Sequence, residues 1–241
     1  MPPESTSVVL VLSETAAPGA RSRYLPESMT DTSDDGLPRF SAAALQEWGR
    51  NVESVIRGIS HALNNRAAAL SAVIELSRDP IGDDAAAVNS ILRGELLRVG
   101  ELAQVIRTIG TPRHGEEAFA PKDAALDSLA ALQLHIEHRD RLVIVDATSA
   151  SPVRTHRWMF VRALIALGSA ASNGTTGAAA RIVITDDGDW VMMRVDGVRT
   201  PAAQLSPYAG ELAHAMGGEP LENGCGFRLP SLSALRRREA R

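Results

Sequence analysis

Residues 41–76 read SAAALQEWGRNVESVIRGISHALNNRAAALSAVIEL, and this stretch decides the fold. Leu45, Trp48, Val52, Val55, Ile59, Ala62, Arg66, Ala69, Val73 and Leu76 recur at alternating steps of three and four. That a/d heptad predicts a long helix with one seam for a neighbouring helix. Ser41, just after Pro38, suits an N-cap. Asp79-Pro80-Ile81-Gly82 ends the helix, because the residue before proline avoids helical backbone angles. A second seam follows at once: Ala85, Val88, Leu92, Glu95, Val99, Leu102, Ile106 and Ile109, closed by Gly110-Thr111-Pro112. Two long helices joined by a short turn form an antiparallel hairpin. Such a hairpin leaves much of its seam uncovered, so two copies are expected to close a four-helix bundle. The expected dimer seam is Leu45, Trp48, Val52, Val55 and Ile59, with Arg66 and Glu95 as the charged intruders. With the turn near residue 81 these two lie at one height and are expected to pair.

After Gly115 the period changes. Pro121–Arg139 reads as a helix, Arg141–Asp146 as a strand and Thr155–Ala171 as a second helix. Arg181–Thr185 and Trp190–Val195 read as strands around Asp186-Asp187-Gly188-Asp189, a hairpin turn signal. Pro207–Met216 reads as a short helix and Gly226–Pro230 as a last strand. The fold class is therefore α+β: a helical hairpin over 39–112, then helices on one face of a mostly antiparallel sheet over 116–232. Residues 1–38, rich in Ser, Thr, Pro, Gly and acids, read as a disordered leader, and 233–241 as a basic, helix-prone and solvated tail.

Composition excludes several classes. The chain has 241 residues, 44% hydrophobic and 22% charged, as ordinary globular proteins do. Its one cysteine, Cys225, rules out a disulfide framework and any CxxC metal site. A net charge of −4 gives no electrostatic footprint for nucleic acid. No apolar run approaches the roughly 18–20 residues that span a bilayer. A cytoplasmic protein with no membrane or nucleic-acid partner is expected. Lys122, the sole lysine, has no phosphate-loop context.

The stretch with chemistry in it is Gly58-Ile59-Ser60-His61-Ala62-Leu63-Asn64-Asn65-Arg66. His61 falls beside the seam, and Asn65 stacks one turn later on the same face. A neutral imidazole is a good nucleophile at neutral pH, and an amide orients a phosphoryl oxygen or a water without adding charge. An exposed histidine without a role is the plain alternative.

His61-Ala62-Leu63-Asn64-Asn65-Arg66 resembles the phosphoacceptor box of two-component sensor histidine kinases, written H-E-L-N-N-P. The hairpin is similar to that family's dimerisation and histidine-phosphotransfer domain, and residues 116–232 to its ATP-binding Bergerat (GHKL) sandwich, here reduced. The resemblance covers about 39–231 and departs at telling places. Ala62 replaces the acid that assists autophosphorylation, and alanine accepts no proton. The asparagine positions of the N-box hold Ala166 and Ser169, which leaves poor Mg²⁺ ligands. The aspartate-glycine box is reduced to Asp196-Gly197-Val198-Arg199-Thr200. Only 20 residues separate Asp196 from Gly217, too few for the usual nucleotide lid. Gly217-Gly218 and Gly224-Cys225-Gly226 remain of the glycine box, and they serve equally as turn residues.

The resemblance therefore implies a dimeric histidine phosphotransfer protein of a phosphorelay. His61 takes a phosphoryl group from a receiver-domain aspartate and passes it to another receiver, ATP binding is lost, and Mg²⁺ comes with the receiver. Docking is expected along Asn64, Ala69, Ala72 and Val73. Three alternatives stay open: a response-regulator phosphatase using Asn65, a non-catalytic pseudokinase adaptor, and a diverged but active kinase. Elsewhere, His135, Glu137 and His138 share a helical face but lack a third strong ligand, so no metal is expected. Asp186–Asp189 lacks the bidentate glutamate of a calcium loop. His214 and Cys225 have no partner pattern, and no G-x-S-x-G elbow occurs.

Overall fold

The computed structural model describes residues 39–76, 85–110, 115–135, 144–146, 150–173, 180–196, 206–222 and 225–240. The leader over 1–38, the turn at 79–82, the closing residues 111–112, Glu137, His138, the 197–200 remnant and Gly224 lie outside them. Helix α1 spans Ala42–Leu76 and α2 spans Ala85–Gly110. The Ser41 hydroxyl accepts from Ala44 N–H at 3.2 Å, as expected of an N-cap. Arg66 meets Glu95 near the middle of both helices, with Nη1 3.3 Å from Oε2. At the other end Trp48 of α1 and Ile109 of α2 are both held by Arg162, so the pair runs antiparallel.

Strand β1 (Glu117–Phe119) leads into α3 (Pro121–Leu134), which has proline at its first position. Strands β2 (Ile144–Asp146) and β3 (Val153–Thr155) precede α4 (Arg157–Asn173). Then come β4 (Arg181–Asp187), β5 (Trp190–Asp196), α5 (Pro207–Ala215), β6 (Glu219–Pro220), β7 (Gly226–Pro230) and α6 (Leu232–Glu239). Five strands form one sheet in the order β2-β4-β5-β7-β6, parallel only between β2 and β4; β1 and β3 pair separately. The α+β expectation holds, with three differences. Helix α3 ends at Leu134 because His135 takes extended angles and turns its ring inward. The two- and three-residue strands β1, β3 and β6 have no readable period. The basic tail is helical as expected, but α6 is not simply solvated: Ser231 caps it and buried Ala234 anchors it.

Alternation along the long strands puts Ile182, Ile184, Val191, Met193, Phe227 and Leu229 on one buried face. Against it lies α4, apolar almost all round and, apart from half-buried Arg162, buried from Trp158 to Ser169, as a central helix must be. Gly168 lets α3 approach, since a Cβ there would sit 2.6 Å from the Leu132 side chain.

The upper half of α1 completes this layer by packing on α3, α4 and α5. Trp48 stacks on Tyr208 with ring centroids 5.0 Å apart, and Phe40 covers the other flank at 5.2 Å. Glu47 accepts from the Tyr208 backbone N–H at the start of α5, and Glu211 from that of Ser41. The Arg162 guanidinium lies between the rings of Trp48 and Trp158, at 5.1 and 4.8 Å. It donates to the carbonyl of Ile109 at 2.7 Å, which supplies a partner to the open C-terminus of α2. The seam residues therefore divide. Trp48, Val55 and Ile59 pack in the same core as the sheet, whereas Leu45 is 52% exposed.

Candidate functional site

His61 lies in the middle of α1, three positions after Gly58, which abuts the end of α3, and is exposed. Gly58 sets that boundary. A Cβ there would fall 1.6 Å from the carbonyl oxygen of Leu134, so only glycine lets the end of α3 rest on α1. One turn earlier the Ser54 hydroxyl meets His135 Nδ1 at 3.0 Å. The His135 ring is 2% exposed, and its burial lowers the pKa to about 4, so it is neutral at pH 7. These contacts fix α3 beside His61.

The Asn65 amide nitrogen stands 3.3 Å from His61 Nε2, which confirms that the two share a face. Nδ2 only donates, so this contact matches the neutral tautomer that carries its proton on Nδ1 and its lone pair on Nε2. His61 and Asn65 open onto a hollow of about 410 Å³ lined by Gly58, Ala62, Arg66, Gln133 and Leu134 as well. A second hollow of about 580 Å³ adjoins it, sharing Ala62, Arg66, Gln133 and Leu134, and runs toward Leu102 and Val105 of α2. Gln133 and Leu134 have no signal in the sequence around His61; only packing brings them there. Beside the histidine Ala62 offers no proton acceptor, and Asn64 is exposed. Among the docking positions, Ala72 is exposed and Ala69 half-buried, while Val73 is 8% exposed and turned inward.

The positions that resemble nucleotide boxes lie elsewhere. Ala166 is fully buried, and Ser169 is 5% exposed and donates to Asn51 Oδ1 of α1 at 2.7 Å. Asp196 pairs with Arg194, Nε to Oδ1, at 3.3 Å. Gly217 has φ of +73° at the end of α5, a left-handed angle that favours glycine. Gly218 and Gly226 lie so close to the carbonyls of Arg228 and Met193 that a Cβ would clash. Each of these glycines has a local backbone reason.

Among the described residues no cluster of three or more His, Cys, Asp or Glu side chains is placed to hold a metal ion. Asp186 accepts from the backbone and hydroxyl of Ser151, Asp189 pairs with Arg237, and Gly188 turns the β4–β5 hairpin at φ +62°. No helix among the described residues is long and apolar enough to cross a membrane.

No family model and no curated protein matches the chain. Among solved structures it is similar to histidine kinases and a phosphotransferase. The Acinetobacter baumannii histidine kinase AdeS overlaps 71% of this chain and 98% of its own, at 15% identity and a TM-score of 0.38. A histidine kinase from Burkholderia phymatum overlaps 79% and 98%, at 12% identity and 0.39. A structure titled as a bacterial phosphotransferase overlaps 80% and 98%, at 10% identity and 0.37. With scores this low, function rests on the residues themselves.

Proposed function

We propose that this chain is a histidine phosphotransfer protein of a two-component relay. His61 would take a phosphoryl group from the aspartate of one receiver domain and hand it to the aspartate of another. One observation carries the reading: an exposed imidazole in mid-helix, oriented by Asn65 at 3.3 Å, facing an open hollow on a helical hairpin. The Nε2 lone pair attacks phosphorus as the acyl-phosphate P–O bond breaks, and the receiver carboxylate leaves with the electron pair. The Nδ1 proton then passes to solvent. The receiver supplies Mg²⁺, so this chain contributes mainly position.

Loss of ATP-dependent autophosphorylation belongs to the same proposal. Ala62 offers no base, and Asn51 of α1 occupies Ser169, one of the two positions that resemble magnesium-binding asparagines. A homodimer also belongs to it. Leu45, Ile56, Leu63 and Ile74 form a single exposed row along α1, between 37% and 54% exposed. Their spacings of eleven, seven and eleven residues are close to whole turns. Leu96 and Ile106 stand exposed on α2. A second copy would bury these side chains in a four-helix bundle.

The decisive experiment has two arms, labelled ATP alone and a labelled phospho-receiver. Label is expected on the chain only from the receiver and is lost in His61→Ala. Label from ATP alone would make the chain an active kinase. Loss of receiver phosphate that survives His61→Ala and fails in Asn65→Ala would make it a phosphatase, a reading favoured by the Asn65 amide facing the same hollow. Receiver binding without transfer or phosphate loss would leave an adaptor.

A further inference from the structure

Arg66 stands where the resembling box has proline, and its surroundings differ from those of a simple ion pair. Glu95 is 5% exposed and meets two guanidinium groups. Arg98, on the next turn of α2, puts Nη1 2.5 Å from Oε1. Arg66 approaches only to 3.4 and 3.3 Å of Oε1 and Oε2, through one nitrogen, Nη1. The cluster therefore holds one negative and two positive charges, and Arg98 makes the tighter contact. A carboxylate this buried needs one close cation, and Arg98 serves. Arg66 has a surplus charge, and its Nε and Nη2 have no hydrogen-bond partner among the described residues. The Arg66 side chain is 35% exposed and lines the hollow together with His61 and Asn65.

We propose that Arg66 binds the phosphoryl group carried on His61, an inference that rests on the reading of His61 as phosphoacceptor. A phosphoryl group on Nε2 adds up to two negative charges at the hollow into which Arg66 and the Asn65 amide open. Arg66 exchanges its long contact with Glu95 for charge-assisted bonds to phosphoryl oxygens, and Arg98 keeps Glu95 neutralised. Charge that develops during transfer meets a positioned cation in a partly enclosed site, where such donors are most effective.

The test uses the full chain with phosphoramidate as donor, so it needs no receiver. The P–N bond breaks, ammonia leaves, and the phosphoryl group passes to Nε2. Labelling of His61 is followed in the parent, Arg66→Gln, Arg66→Lys, Glu95→Gln and the double variant Arg66→Gln/Glu95→Gln, each with a thermal melt. Arg66→Gln is expected to slow labelling about tenfold, the size of one charge-assisted hydrogen bond. Arg66→Lys recovers part of the rate, and Glu95→Gln is no slower than the parent. The double variant removes both charges of the pair, so its melt returns toward the parent, yet its labelling stays slow. Recovery of the parent rate in the double variant would show that Arg66 only balances Glu95 and would overturn the proposal. So would an unchanged rate in Arg66→Gln while His61→Ala takes no label, an outcome that leaves the His61 reading intact. A parent chain not labelled at His61 would sink that reading and this inference together.

Discussion

The two halves of α1 have one periodicity and two different neighbours. From Phe40 to Gly58 the helix face carrying Ala44, Glu47, Trp48, Asn51, Ser54 and Gly58 is closed by α3, α4 and α5. From His61 to Ile74 the continuation of that face, with His61, Asn65 and Ala72, is open. The closed half joins its neighbours through polar contacts between buried groups, Asn51 with Ser169 and Ser54 with His135. In the open half, His61 and Asn65 border a hollow that Gln133 and Leu134 wall on one side, and Ala72 is exposed. One helix thus joins the intrachain core along its first half and, along its second, meets α2 through Arg66 while leaving the His61 face open to solvent. The boundary is a single glycine.

That boundary is where the contrast breaks most easily. Gly58→Ala places a methyl group against the Leu134 carbonyl and must push α3 off α1. A loss of about 3 kcal/mol in urea unfolding is expected. A cost below about 1 kcal/mol would mean that the two halves are not divided there.

Acid tests the closed half. His135 has a folded pKa of about 4 against 6.5 for an exposed histidine, so the unfolded chain takes up its proton first. Its contribution to stability is complete above pH 6.5 and is lost as pH falls toward 4, about 3 kcal/mol in all. Urea midpoints measured across that window in the parent and in His135→Gln should show the parent's steeper fall. Parallel curves would disprove the assignment.

Leu63→Glu sharpens the open half. If the proposed dimer forms, sedimentation should show it lost in this variant, while the protomer's melting changes by less than about 1 kcal/mol, as for an exposed site. Smallest is Gly49→Ala, where nothing lies within 4 Å of the new methyl group and α1 should gain about 0.5–1 kcal/mol. A loss there would show that the face carrying Gly49 is covered.

Much of this was legible from residue order because it depends on local spacing. The two long helices, the β4–β5 hairpin around Asp186–Asp189, and His61 with Asn65 on one face all follow from 3.6- and 2-residue periods. The height of Arg66 opposite Glu95 followed from the turn position alone, and the 3.3 Å contact bears it out. The strands β1, β3 and β6 escaped because two or three residues have no period. The end of α3 escaped because a tertiary contact, His135 with Ser54, draws the chain out of the helix.

The sequence by itself determined which residues share a helix face and which chemical groups stand on it. It did not determine what would cover that face, because a heptad seam accepts any apolar neighbour equally. Only the tertiary structure decided that Trp48, Val55 and Ile59 face the chain's own sheet layer, and that Gln133 and Leu134 wall the hollow at His61. Which neighbour wins depends on close approach at Gly58 and on matched polar groups at Asn51 and Ser54. Their partners, Leu134, Ser169 and His135, lie some 75 to 120 positions away along the chain.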